Sequence, residues 1–159
     1  MPSPTPALGF VDGLVQLSFL VQSVLAKTAA RHDLTVPQVR LLGILRDREP
    51  GMLQLARHLG LDKSSVTGLV DRAERRGLVR RDAAIDDGRG IRVSSTPLGR
   101  HLTEQVSAEI AVQVVALGNS LKAADKRILT RLVSQIIIAQ ETTTSAAPPS
   151  GQTATDQPR

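Results

Sequence analysis

Residues 55–81 read LARHLGLDKSSVTGLVDRAERRGLVRR, and this stretch decides the fold. Its first half is the end of a short helix over 53–59, LQLARHL, which Gly60 terminates in the manner of a C′ glycine. Asp62 is a good N-cap for a second helix over 63–76, and Gly77 closes that one. On a wheel at about 100° per residue, Val66, Leu69, Val70 and Ala73 fall on one side, which must pack inward. Ser64, Gly68, Asp71 and Arg75 lie opposite, flanked by Thr67 and Arg72. The outer face therefore opens with small polar groups and ends with long basic ones. Two short helices joined by a glycine turn have helix-turn-helix spacing, a pattern of moderate specificity by itself.

The residues downstream make the pattern more specific. Residues 78–83 and 91–95 read as two short strands around the turn-rich IDDGRG at 85–90, a β-hairpin directly after the second helix. Thr96 and Pro97 then make an N-cap and first-turn pair that opens a long helix to about Leu117. A last amphipathic helix spans 124–140, with Ile128, Leu129, Leu132, Val133, Ile136 and Ile137 on one side. Upstream, Phe10, Leu14, Leu17, Val21, Val24, Leu25 and Thr28 repeat at helical spacing over about 9–31. Thr35 caps a further helix that carries Pro37 in its first turn, and Pro50-Gly51 breaks it. Residues 1–8 are proline-rich, and 141–159 turn to Thr, Ser, Ala, Pro and Gln without an apolar face. Both ends are expected to be disordered. The expected fold is mainly α with one β-hairpin.

Charge is concentrated in the same place. The chain has a formal net charge of +5, and between Arg72 and Arg100 eight arginines stand against four acids, which is +4 of that total. An excess of this kind favours a polyanionic partner. A helix with small polar residues at its N-terminal end suits insertion into a major groove. Ser64, Ser65 and Thr67 can then reach base edges, while Lys63 and the helix dipole approach phosphate. Gly68 costs roughly 1 kcal/mol relative to alanine in a helix. Either it admits close approach of DNA to the backbone, or it accommodates a packing neighbour. Arg89, between Gly88 and Gly90, is placed to enter a minor groove, with Asp87 or Asp86 orienting its guanidinium. The plainer alternative is a surface ion pair in a turn.

Several function classes drop out. The chain has no cysteine, so disulfides, thiolate zinc sites and thiol redox sensing are excluded. Its three histidines, His32, His58 and His101, are far apart, so neither a metal nor another cofactor is expected. With only Phe10 and Phe19 as aromatics, it lacks the stacking platforms of a single-strand binder. No catalytic constellation emerges, so an enzyme is not expected. The N-terminal stretch has no basic residue before its apolar run, and no window approaches the roughly 18 apolar residues of a membrane span. The expectation is a soluble, cytoplasmic protein without a membrane partner.

The stretch 55–81 resembles the DNA-reading helices and first wing strand of the MarR family. DDGRGIRVSSTPLG (86–99) is similar to its wing and to the entry of the next helix, and LTVPQVRLLGILRDREPG (34–51) to its second helix. The resemblance implies a single domain over 9–140: a winged helix-turn-helix at about 35–100 flanked by N- and C-terminal dimerisation helices at about 9–31 and 97–140. It implies a homodimer, a palindromic double-stranded operator, and often release by a small-molecule effector, whose binding residues are not assigned. Carried over by position, Ser64, Ser65, Thr67 and Gly68 match the groove-reading stretch, Arg89 the wing-tip arginine and Asp87 its acidic partner. Lys63, Arg72 and Arg75 complete the expected DNA-binding set. Ser95 departs from the family by standing where an apolar residue is usual, which implies looser wing packing. The 53–59 helix also lacks a Ser or Thr cap. The expected function is a sequence-specific DNA-binding transcriptional regulator, a repressor released by a small ligand. The alternatives are an architectural or nonspecific DNA-binding protein, and a winged helix used for protein contacts.

Overall fold

The computed structural model describes residues 8–83 and 90–146. Six helices and one hairpin follow in the order α1 (Phe10–Arg31), α2 (Val36–Ile44), α3 (Met52–Leu59), α4 (Lys63–Arg75), β1 (Val79–Ala83), β2 (Ile91–Ser95), α5 (Pro97–Leu117) and α6 (Ala123–Ala146). The chain divides into two compact units after Leu117.

In the first unit, local chemistry sets each boundary. Thr35 and Gln38 form a capping box on α2: Gln38 N–H donates to Thr35 Oγ1, and Thr35 N–H to Gln38 Oε1 at 2.9 Å. α3 has no hydroxyl cap. Instead Gln54 Oε1 reaches back to accept from the Gly51 N–H at 3.0 Å, and Gly60 ends the helix at φ +65°. Asp62 caps α4, accepting from the Ser65 N–H at 2.9 Å. The core gathers Leu41, Leu42 and Leu45 of α2, Leu55 and Leu59 of α3, the inner face of α4, and Val79 and Val93 of the hairpin.

The hairpin is antiparallel, with Val79 opposite Ser95 and Ala83 opposite Ile91. Pro50-Gly51, read from sequence as a helix breaker, also extends the sheet. Gly51 bridges Arg92, and the Val93 N–H donates to the Pro50 carbonyl at 3.0 Å. At the base of the wing the Thr96 hydroxyl donates to the Gly77 carbonyl at 2.6 Å and accepts from the Gly99 N–H at 3.0 Å. Gly99 meets the Leu78 backbone so closely that a Cβ there would lie 1.9 Å from the Leu78 carbonyl oxygen. This contact explains the spacing of Thr96 and Gly99. Ser95 is not loosely packed, as its departure from the family implied. It is buried against Gly99, and its hydroxyl has no hydrogen-bond partner among the described residues.

α1 packs only through its C-terminal half. Thr28 and Ala29 are buried, whereas Phe10, Val11, Leu14, Val15, Phe19 and Leu20 are exposed. Contrary to the sequence expectation, α1 is long and apolar enough to cross a membrane by length and composition, with a mean hydropathy of 1.3 over its best window. Gln16, Ser18, Gln22, Ser23 and Lys27 interrupt its apolar residues, so the helix carries no unbroken apolar run.

The second unit carries α6, which continues to Ala146. Residues 141–146, assigned to the tail by composition, are therefore helical, because extending a helix costs far less than nucleating one. Ile128, Leu129, Leu132, Val133, Ile136, Ile137 and Ile138 are all exposed.

Candidate nucleic-acid interface

α4 is the centre of the site. Val66, Leu69, Val70 and Ala73 are buried, which turns Lys63, Ser64, Ser65, Thr67, Arg72 and Arg75 to the exposed side, with Gly68 half-buried beside them. An added Cβ at Gly68 would meet only the end of the Arg72 side chain, at 3.3 Å. No core neighbour lies against that position.

The N-terminal turn of α4 is internally bonded. Ser64 Oγ donates to Asp62 Oδ1 at 2.5 Å, and Ser65 Oγ to Asp62 Oδ2 at 2.6 Å. These bonds, that from Ser64 foremost, hold the Asp62 carboxyl well below the usual carboxylate range. Thr67 Oγ1 donates to the Lys63 carbonyl at 2.9 Å. All three hydroxyl protons are thus engaged, and the side chains face outward with acceptor lone pairs and, at Thr67, a methyl group. Such groups match the amino donors of adenine and cytosine and the thymine methyl in a major groove. The Asp62 carboxylate also occupies the positive end of the helix and offsets its dipole there, which leaves the exposed Lys63 as the cationic side chain of this turn.

The arginine-rich segment separates into two kinds. Arg72 and Arg75 extend from α4 with no side-chain hydrogen bond or ion pair among the described residues. Others brace the fold. Arg76 Nη1 donates to the Asp33 carbonyl, Arg100 Nη1 to the Ser95 carbonyl at 2.9 Å, and Arg80 Nε to Asp82 Oδ2 at 2.9 Å. Arg81 was not singled out from sequence. It reaches from β1 to α4, where Nη2 meets Asp71 Oδ1 at 2.5 Å and Nη1 meets Glu74 Oε2. Asp71, placed on the outer face by the helical wheel, is therefore held by the wing strand. The only hint in the sequence was an acid pair at i, i+3 with an arginine on the next strand. Asp87 and Arg89 lie outside the described residues.

A second feature lies where α1 meets α5. Arg31, Ala108, Glu109, Val112 and Gln113 line an open cleft of about 490 Å³. Arg31 Nη2 donates to Glu109 Oε2 at 2.8 Å, and His32 Nε2 lies 3.0 Å from Glu109 Oε1. Arg31 first, then His32, lowers the pKa of the Glu109 carboxyl.

Known proteins share this architecture. The model of the MarR family matches residues 32–90. The homoprotocatechuate degradative operon repressor of Escherichia coli is 30% identical over 126 residues, covering 78% of this chain and 84% of the repressor. The HTH-type transcriptional regulator MgrA of Staphylococcus aureus is 29% identical over 118 residues, 74% of this chain and 79% of that protein. Among solved structures, a Mycobacterium tuberculosis MarR family protein in complex with salicylic acid aligns with a TM-score of 0.67 at 20% identity, over 82% of this chain and 98% of that one. With the relatedness to the operon repressor and the shared fold, the chain belongs to the MarR family of DNA-binding transcriptional regulators.

Proposed function

We propose that the protein acts as a homodimer that recognises a palindromic double-stranded operator and represses transcription until a small ligand releases it. The observation that carries this reading is α4, whose apolar side is buried while Lys63, Ser64, Ser65, Thr67, Gly68, Arg72 and Arg75 share its outer side. In this role Ser64, Ser65 and Thr67 read base edges, Gly68 lets the backbone come close, and Lys63, Arg72 and Arg75 neutralise phosphates. Asp87 and Arg89 extend the contact along the wing into the minor groove. The uncovered apolar residues of α1 and α6 support association with a second copy, which would set two α4 helices about one helical turn apart on DNA. Repression and ligand release are supported by two similar proteins, one an operon repressor and the other a family member bound to salicylic acid. The open α1–α5 cleft, which sets Ala108 and Val112 beside the Arg31–Glu109 pair, is the candidate place for such an effector.

Fluorescence-anisotropy binding to the DNA flanking the protein's own gene tests this, with random duplex as competitor and a salt series. A regulator prefers its site by roughly 10³-fold or more, and its affinity falls steeply with salt. Equal affinity for both duplexes would favour an architectural DNA binder. No binding at low salt would leave a winged helix used for protein contacts.

A further inference from the structure

Arg81 sits on β1 but forms its strongest contacts with α4. Its guanidinium spans two carboxylates one helical turn apart, Asp71 at 2.5 Å and Glu74 through the other terminal nitrogen. The connection is closed a third time by the backbone, because the Arg81 N–H donates to Glu74 Oε1 at 3.2 Å. The Arg81 side chain is 24% exposed, which separates it from the fully solvated ion pairs that contribute little. A planar fork joined to two carboxylates resists rotation in a way that a single point charge does not. β1 is in turn registered to β2 over five residue pairs, so the orientation imposed at Arg81 is passed to both strands. The two acids also lie beside Arg72 and Arg75 on the helix. Pairing them with Arg81 offsets negative charge that would otherwise stand next to the phosphate-facing arginines.

We propose that Arg81 is a positioning residue for DNA recognition: by bridging Asp71 and Glu74 it holds the wing strands β1 and β2 and α4 as one rigid reading unit. The proposal rests on the assignment of α4 and the wing to DNA binding.

The test compares the full-length wild type with Arg81→Lys, Arg81→Gln and Glu74→Gln. Each is measured for thermal unfolding and for anisotropy binding to the self-flanking duplex over a salt series. Arg81→Lys is decisive because it keeps the charge and loses the fork. Expected is a roughly tenfold weaker Kd for both Arg81 variants, at temperatures where they remain folded. The slope of log Kd against log salt should also be shallower in Arg81→Lys by about one phosphate contact, although its net charge is unchanged. A lysine variant that binds with wild-type Kd and slope would overturn the proposal, since charge alone would then suffice. Variants that lose thermal stability but bind as wild type when folded would overturn it too, reducing Arg81 to a structural brace. If neither Arg81 variant folds, Glu74→Gln removes one arm of the bridge, and unaltered binding by it would have the same consequence. A wild type that fails to bind the duplex would refute the DNA assignment itself, which separates that failure from the failure of Arg81 to position the wing.

Discussion

α4 and α6 are both amphipathic, and they use their apolar sides differently. In α4, Val66, Leu69, Val70 and Ala73 are at most 2% exposed, covered within their own unit. In α6, Ile128, Leu129, Leu132, Val133, Ile136 and Ile137 remain 41–53% exposed. Full burial of an aliphatic side chain is worth about 1.5–3 kcal/mol. Six half-covered ones therefore retain several kcal/mol of unused driving force, a scale suited to association between chains. The difference marks a division of labour. The apolar side of α4 is covered within its own unit and its polar face is exposed, whereas the apolar face of α6 is itself exposed. In the function proposed above, the first face meets DNA and the second meets another copy of the chain.

That contrast breaks most visibly at α6. Leu132→Asp is expected to turn a dimer into a monomer in sedimentation at micromolar concentration and to weaken operator binding roughly 10²-fold or more, since the second half-site no longer adds avidity. A wild type that is already monomeric would remove association as the purpose of the exposed stripe. The closure of the first unit is tested next by Gly99→Ala. Its Cβ would meet the Leu78 carbonyl oxygen at 1.9 Å, and overpacking against backbone is expected to cost about 3 kcal/mol in urea unfolding. An unchanged midpoint would show that α5 and the wing base slide apart easily.

A smaller effect separates stability from binding within α4. Gly68→Ala is expected to stabilise the folded chain by about 1 kcal/mol, because the new methyl meets only the mobile end of Arg72, and at the same time to weaken DNA binding. Wild-type affinity in that variant would place Gly68 outside the contact. The smallest effect concerns acid. Asp62 has a lowered pKa in the folded chain, so its stabilising contribution is complete above its unfolded value of about 3.9 and is lost as pH falls through the folded one. Asp62→Asn keeps a capping oxygen without the titration. Its melting temperature should fall less than that of the wild type between pH 4 and pH 2, and parallel curves would mean that other carboxylates dominate acid unfolding.

Boundaries were legible in the sequence wherever they depend on neighbours a few residues away. The Thr35 and Asp62 caps, the Gly60 and Gly77 stops and the Thr96-Pro97 start are all short-range hydrogen-bond or dihedral arrangements, and the residues that make them adjoin in the chain. The polar face of α4 was legible for the same reason, since helical periodicity alone sorts Val66 from Thr67. The partners of the arginines were not. Between Arg72 and Arg100 many acid–arginine pairings are equally compatible with the sequence. Only folding brings Arg81 to Asp71 and Glu74 while leaving Arg72 and Arg75 without a partner among the described residues.

By itself, then, the sequence determined the succession of helices and hairpin, the inward side of α4 and the basic character of the segment around the wing. Tertiary structure alone decided that Gly51 joins the sheet at Arg92, that Ser95 is buried beside Gly99, that Asp71 faces β1, and that the N-terminal half of α1 stays uncovered. The physical reason is range. Caps and periodicity act over one or two helical turns, whereas burial and ion-pair choice depend on which distant segments the packed core brings within a few ångströms.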